Sequence, residues 1–315
     1  MKCLCCNKEL NNASGIELQS GWHEKCIRAF FGTKELPELD LSREALEDLA
    51  NRTVNKGLTV PGVQKKLSLH LDSVEKTSRL TVVDYPAGYI LKPASDDFDC
   101  LPEAEFLVMT MAREAGIKTV PNGLLRFGDS FAYITKRIDR PNGRQYAMED
   151  FCQLSGRLSA DKYKGSCENC VKIINRYTTN LGIDLSEFFI RIIFCFISGN
   201  SDMHYKNFSL IEKNPGSREF MLSAAYDLLP VNVIMPADTE ETALSLNGKR
   251  KNLRKNDFLA LAANAGISQS VANKLIKSVV GKSDRYTELI KESYISDSMK
   301  DSFINLVRER CELLI

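Results

Sequence analysis

Asp202 and Asn207 stand five positions apart in the polar stretch Ser198 to Leu210, and Asp227 follows twenty positions later in Ala225-Tyr226-Asp227-Leu228-Leu229-Pro230. The stretch begins where an apolar segment, Phe188 to Ile197, stops, and it ends in another apolar run. Its polar residues therefore belong on a loop between two buried elements. Two carboxylates and an amide in this order suit magnesium-dependent phosphoryl transfer. One carboxylate meets the incoming hydroxyl, while the amide oxygen and the second carboxylate hold metal against the phosphates. Asp and Asn are also ordinary loop residues, so the trio needs support from elsewhere in the chain.

A second set of reactive side chains opens the sequence. Cys3-x2-Cys6, sixteen residues and His23-x2-Cys26 supply four soft ligands in two pairs, the number and kind that a tetrahedral zinc takes. Asn11 to Gly15 reads as the intervening turn, Trp22 is placed to cover the metal, and Cys5 is a spare thiol. Four ligands fill the shell, so such a zinc is structural. The alternative is a cluster of reduced thiols in a small apolar lid. Ten cysteines with no secretory leader point to a reducing cytoplasm, where such clusters bind metal more often than they form disulfides.

The elements that must position these groups are legible in part. Apolar residues make up 43% of the 315 and charged residues 26%, a globular profile with length for a large core. A net charge of +1 gives no broad basic field for nucleic acid. Phe188 to Ile197 is too short to span a bilayer and contains Arg191, so no membrane partner is expected. Leu41 to Asn51 has helical spacing. In Lys56 to Leu69 two glycines and a proline precede Lys65, Lys66 and a strand-like alternation, a composition able to approach phosphates or simply to turn a hairpin. Leu80 to Val83 and Gly88 to Pro93 read as strands, with Lys92 at the end of an apolar run, which by itself favours a lysine snorkelling at a strand end. Leu101 to Gly116 reads as a helix with Pro102 in its first turn, and offers Glu103 or Glu105 as a partner for Lys92. Gly123 to Phe127 and Phe131 to Thr135 form a hairpin running into the crossover Lys136 to Pro141. Beyond it helices are expected near 148–157, 166–181, 184–198, 257–265, 268–281 and 297–313, with short strands near 207–212 and 219–224. A strand-rich half followed by a helix-rich half implies an α+β protein of two lobes with a cleft between them. Lys249 to Lys255 is a dense basic run, read as a solvated surface turn in preference to a substrate contact.

Several stretches together resemble the HipA family of bacterial serine/threonine kinases, the toxin half of toxin–antitoxin pairs. They are Pro61 to Ser68, Ile90 to Pro93, Leu101 to Phe106, Lys136 to Arg140, Glu149 to Gln153, Asp202 to Ser209 and Ala225 to Leu229. They run in the family's order from about residue 50 to the C-terminus. The Asp-x4-Asn spacing at 202 and 207 is also that of kinase catalytic loops. The resemblance implies a bilobal kinase-like fold: a β-rich N-lobe over 36–137 and a helical C-lobe over 138–315. The Cys/His module over 1–35 is read from its cysteines and precedes the stretches that carry the resemblance, which implies Asp202 as catalytic base, Asn207 and Asp227 as magnesium ligands, and Lys92 as the phosphate-binding lysine. Thr135, Lys136, Arg137 and Ile138 would be the hinge that receives adenine, and Gly62, Val63, Gln64 and Lys66 part of the loop over the phosphates. His204 and Lys206 would help stabilise the γ-phosphate.

The implied cofactors are ATP and magnesium, beside the zinc read from the cysteines. The implied partners are an aminoacyl-tRNA synthetase as substrate and a helix-turn-helix antitoxin of HipB type, with DNA reached only through the antitoxin. Two departures stand out. The family's full-length toxins carry about a hundred more N-terminal residues, so this chain looks like a short form whose missing subdomain is absent or a separate small protein. Where the family phosphorylates its own serine beside the phosphate loop, this chain has Thr59, the expected autophosphorylation site. The competing expectation is a catalytically silent, nucleotide-binding partner in a repressor complex. A zinc-dependent nucleic-acid binder built on residues 1–30 is disfavoured by the low net charge and by the lack of aromatics interleaved with basic residues.

Overall fold

The computed structural model describes residues 1–39, 65–74 and 77–315. The helix expected at 41–51, Thr59 and the loop residues Gly62, Val63 and Gln64 lie outside the described residues. The chain divides into two compact units, Met1–Phe106 with Val120–Gly143, and Leu107–Thr119 with Arg144–Ile315.

In the first unit, helices α1 (Gly15–Ser20) and α2 (Glu24–Phe31) precede six strands: β1 (Glu38–Leu39), β2 (Leu67–Val74), β3 (Thr77–Val83), β4 (Tyr89–Lys92), β5 (Asn122–Phe127) and β6 (Ser130–Lys136). They form one sheet in the order β1-β3-β2-β4-β6-β5, antiparallel except where β1 meets β3. Leu67, Leu69, Leu80, Leu91 and Ile134 are buried on one face, and Leu124 is buried on the other, opposite Tyr133. The β5–β6 hairpin turns at Gly128, whose φ of 57° is a conformation glycine adopts without a Cβ penalty.

An edge strand exposes unpaired backbone groups, and β5 lies at the edge of this sheet. The N-terminal segment covers it. Leu124 donates its N–H to Leu4 O at 2.8 Å, and Trp22 donates Nε1–H to Leu124 O at 2.9 Å. Neither α1 nor α2 was expected from the sequence. Yet Ser14 caps α1 in a reciprocal capping box with Glu17, and left-handed Gly21 and Gly32 end α1 and α2, so the signals were present.

Helix α3 (Leu101–Glu114) begins in the first unit and from Leu107 belongs to the second. The second unit holds a three-stranded antiparallel sheet, β7 (Met148–Asp150), β8 (Ser209–Glu212) and β9 (Phe220–Leu222), with β8 central. Its helices are α4 (Phe151–Leu154), α5 (Cys167–Tyr177), α6 (Leu181–Ile197), α7 (Val231–Ile234), α8 (Lys255–Asn264), α9 (Gln269–Val280), α10 (Ser283–Lys291) and α11 (Asp297–Glu312). Helix α6 is the hydrophobic axis, with Phe188, Phe189, Ile192, Ile193, Phe194, Phe196 and Ile197 all buried. No helix among the described residues is long and apolar enough to cross a membrane.

The helix expected at 148–157 is instead a strand followed by a single turn. Asp150 ends β7 and caps α4 in a reciprocal box with Gln153, and the register of β7 on β8 keeps residues 148–150 extended. Tertiary pairing overrides local propensity there. Helix α10 was not anticipated.

Gly123 has no room for a side chain: a Cβ would lie 2.5 Å from the Trp22 ring. Gly123→Ala is therefore expected to destabilise the protein by about 1–3 kcal/mol, read by denaturant titration of the fluorescence of Trp22, the chain's single tryptophan.

Candidate active site and metal centre

In the first unit, β4 ends in Lys92 and the first turns of α3 carry Glu105. Lys92 Nζ and Glu105 Oε1 are 2.5 Å apart, with side chains 2% and 0% exposed. The ammonium also lies 5.2 Å from the centroid of the Tyr133 ring on β6, across from Lys92 in the register. Glu105, not Glu103, is thus the partner of Lys92. Burial raises the pKa of Glu103.

The segment 135–138 continues β6. Thr135 Oγ1 and Lys136 N–H both donate to Pro121 O, at 2.9 and 3.0 Å, and Arg137 N–H donates to Gly88 O at 2.9 Å. The amides of Lys136 and Arg137 are thus already used by the sheet and its connections. Adenine recognition by this segment would have to rest on its other backbone groups.

In the second unit, α6 stops at Ile197 and Gly199 turns the chain with φ of 71°. The loop that follows is wired by its own polar groups. Asn200 Oδ1 accepts the Asp202 N–H at 3.2 Å, and Asp202 O accepts from His204 N–H at 2.8 Å and from Asn207 Nδ2 at 3.0 Å. The Asp202 carboxylate is 43% exposed. It accepts a hydrogen bond from the Tyr163 hydroxyl at 2.5 Å, and His204 Nε2 lies 4.0 Å from it.

Burial lowers the pKa of His204 to about 4. The Asp202 charge opposes this, Lys162 adds to it, and Asp227 opposes it in turn. His204 is therefore neutral near pH 7, and it feels the charges of both Asp202 and Asp227. Lys206 is held by Asp150 at 3.1 Å.

Asp227 sits just after the chain leaves β9. Ser223 N–H donates to Ser209 O at 2.9 Å and Ala225 N–H to Lys118 O at 2.7 Å. The Tyr226 hydroxyl donates to Lys206 O at 3.0 Å and lies 2.5 Å from Ser209 Oγ. With the tyrosine proton committed to the carbonyl, Ser209 is the donor in the second bond. These contacts tie the backbone beside Asp227 to the loop carrying Asp202 and Asn207. Asp227 itself has φ of 55°, a left-handed conformation that Asp tolerates and that recurs at functional positions.

The donor atoms of Cys3, Cys6, His23 and Cys26 all lie within 4.8 Å of one another, so the group could hold a metal ion. His23 presents Nδ1 to Cys6 Sγ at 3.4 Å, and its Nε2 meets Glu9 O at 3.1 Å. One ring nitrogen thus faces the thiols while the other is oriented by a carbonyl, the usual outer support of a ligating histidine. His23 N–H donates to Cys3 Sγ at 3.2 Å. Bonds from Cys26 and Cys6 push the Cys3 pKa down, while Cys6 and Cys26 are pushed up. Crowding of this kind is relieved when a cation takes the protons' place. Cys5 stands outside the quartet.

A family model described as HipA-like C-terminal domain matches residues 58–286. The chain belongs to the HipA-like family. A Haemophilus influenzae relative named "Putative kinase" is 26% identical over 95% of this chain and 94% of its own length. Among solved structures, the HipA–HipB–operator DNA complex of the Shewanella oneidensis MR-1 toxin–antitoxin system is similar with a TM-score of 0.68. It is 17% identical and matches over 85% of this chain and 70% of that one. The Helicobacter pylori proinflammatory kinase CtkA is similar with a TM-score of 0.53, at 12% identity over 78% of this chain and 93% of that one. The HipA-like fold is α+β and kinase-like, and membership of the family supports a kinase-like function.

Sequence reasoning passed over Tyr163, Tyr226 and the pairing of Asp150 with Lys206. Asp150 announced itself as a cap through Gln153 three positions on, but nothing local marks Tyr163, which lies 39 positions from the carboxylate it touches. Replacing Lys92 alone by Met strands a buried carboxylate and should cost about 3–5 kcal/mol. Lys92→Met with Glu105→Leu should recover much of that loss, measured as a double-mutant cycle in urea.

Proposed function

We propose that the chain is an ATP- and magnesium-dependent serine/threonine protein kinase of HipA toxin type. The observation that carries this reading is the buried Lys92–Glu105 pair, on a strand and a helix, the pairing that kinases use to hold a lysine against nucleotide phosphates. Asp202 takes the proton of the acceptor hydroxyl as its oxygen bonds the γ-phosphorus and ADP leaves. Lys92 contacts the phosphates, with Lys66 and the neighbouring loop Gly62 to Gln64 covering them, and residues 135–138 serve as the adenine hinge.

Asn207 and Asp227 are the proposed magnesium ligands. The Asn207 amide nitrogen donates to Asp202 O, which leaves the hard carbonyl oxygen as its available donor, and Asp227 offers a carboxylate; both suit this cation. When bound, magnesium neutralises charge on the transferring phosphoryl group. Lys206 supplies further positive charge, tethered by Asp150, and His204 acts as a neutral, buried neighbour of Asp202.

The reading extends to partners through the family. The Shewanella neighbour is a complex with HipB and operator DNA; we infer a HipB-type helix-turn-helix partner here, an aminoacyl-tRNA synthetase as target, and Thr59 as a site of autophosphorylation that would place negative charge beside ATP. For the N-terminal quartet we infer a structural zinc, because three thiols and an oriented imidazole converge with no further ligand required.

Incubation of the full chain with γ-labelled ATP and magnesium should label the protein, with phosphate found on Thr59 by mass spectrometry, and Asp202→Asn should abolish the label. Tight ATP binding with no Asp202-dependent label would sink the kinase in favour of a silent nucleotide-binding protein. Elemental analysis should find one zinc per chain, and stripping it with a chelator should shift the emission of Trp22, buried in the same segment. A metal-free chain with unchanged emission would refute the zinc.

A further inference from the structure

Tyr163 has no part in the reading above, yet its hydroxyl donates to Asp202 Oδ1 at 2.5 Å. The residue is built into place. Tyr205, in the catalytic loop, donates its N–H to Lys162 O at 3.3 Å, and Ser166 N–H donates to the Tyr205 hydroxyl at 3.3 Å. Gly165 lies so close to the Tyr205 ring that any Cβ there would collide with it. Arg250, from the basic turn, donates Nη2–H to Tyr163 O at 2.6 Å. The Tyr163 ring stands edge-on to His204 with centroids 5.0 Å apart, and Lys162 Nζ lies 5.0 Å from its centroid. Burial, then the bond to Asp202, push the phenol's pKa up, so the ring stays neutral and keeps its proton to donate.

A hydroxyl donating to the base is the contact that an acceptor alcohol makes before transfer. We propose that Tyr163 determines what reaches Asp202: its hydroxyl occupies Oδ1, the acceptor's seat on a partly solvated carboxylate, competes with water there, and yields it to a hydroxyl on a docked protein chain. The proposal rests on Asp202 being the base. Tyr163 is 39% exposed and the Asp202 side chain 43%, so an incoming chain can reach both. Water brings only its own hydrogen bonds to a contest with a tethered phenol. A protein acceptor brings binding energy from contacts far from the reacting oxygen. In either case the new bond runs from acceptor oxygen to γ-phosphorus, the bond to the β,γ-bridging oxygen breaks, the proton passes to Asp202 and ADP departs. With water in the seat the other product is inorganic phosphate, and Tyr163 is unchanged.

The test is phosphate release from magnesium-ATP by the full chain with no protein acceptor added. Tyr163→Phe keeps the ring on His204 and should raise hydrolysis about fivefold, the order that loss of one hydrogen bond allows. The KM for ATP should not change, and adding Asp202→Asn should return the rate to background. Arg250→Ala, which releases the Tyr163 main chain, should raise hydrolysis in the same direction and covers the case that the first variant folds poorly. Rates at or below wild type in both variants, or a rise that survives loss of Asp202, overturn the proposal. The kinase reading fails separately, if Asp202→Asn leaves label transfer from ATP intact whatever happens at Tyr163.

Discussion

An ammonium and a carboxylate that leave water together are costly for a fold, and Lys92 and Glu105 have both left it. Removing two ions from solvent costs several kcal/mol each, and their attraction repays this only when the geometry is close. At 2.5 Å, with the Tyr133 ring beside the ammonium, the geometry is close. It fixes β4 and the first turns of α3 relative to each other, since neither charge can be buried without the other. Stability alone would be served as well by two apolar side chains. A pair kept at that cost suits a role in which the lysine must stay charged and stay put.

The second unit solves a different problem, which is holding a polar loop still without burying its chemistry. Backbone and amide groups do the holding. Asp202 O takes two hydrogen bonds from within the loop, and the Tyr226 hydroxyl bridges the Lys206 carbonyl and Ser209. The carboxylate of Asp202 is left partly in solvent. His204, two positions on, is buried and held neutral. Burial is the first cause of that neutrality, with the charges of Asp202, Lys162 and Asp227 acting on it as well.

How much of this could be read beforehand follows the range of each interaction. The 3.6-residue periodicity of α5, α6, α8, α9 and α11, and the alternation of β3 to β6, are local, and those elements stand where the sequence placed them. Cys3, Cys6, His23 and Cys26 were legible because metal ligation constrains both type and spacing, and their donors do converge. The strand at 148–150 was not, because a partner some 60 positions away decides it. Glu103 and Glu105 could not be told apart from spacing alone; two helical positions separate a carboxylate that gains no bond to Lys92 from its buried partner. Tyr163 was invisible for the same reason, since a phenol in a polar loop advertises nothing until the fold sets it on Asp202.

The N-terminal segment shows how a site too small to fold alone can become part of a larger sheet. His23 stands at the N-cap of helix α2, which contains Cys26, so two of the quartet's ligands flank its first turn. Its last turn presents Phe30, whose carbonyl accepts from the Tyr89 hydroxyl at 3.2 Å and from Lys136 Nζ at 3.3 Å. Trp22, Phe30, Phe31 and Tyr89 form one aromatic cluster, with ring centroids between 4.7 and 5.8 Å apart. Tyr89 opens the four-residue strand that ends in Lys92. The route from the quartet to the buried lysine is therefore short: a ligand set, two turns of helix, an aromatic cluster, one strand. A metal held by the quartet would act on the strand that carries Lys92 along this route, without contact with any substrate.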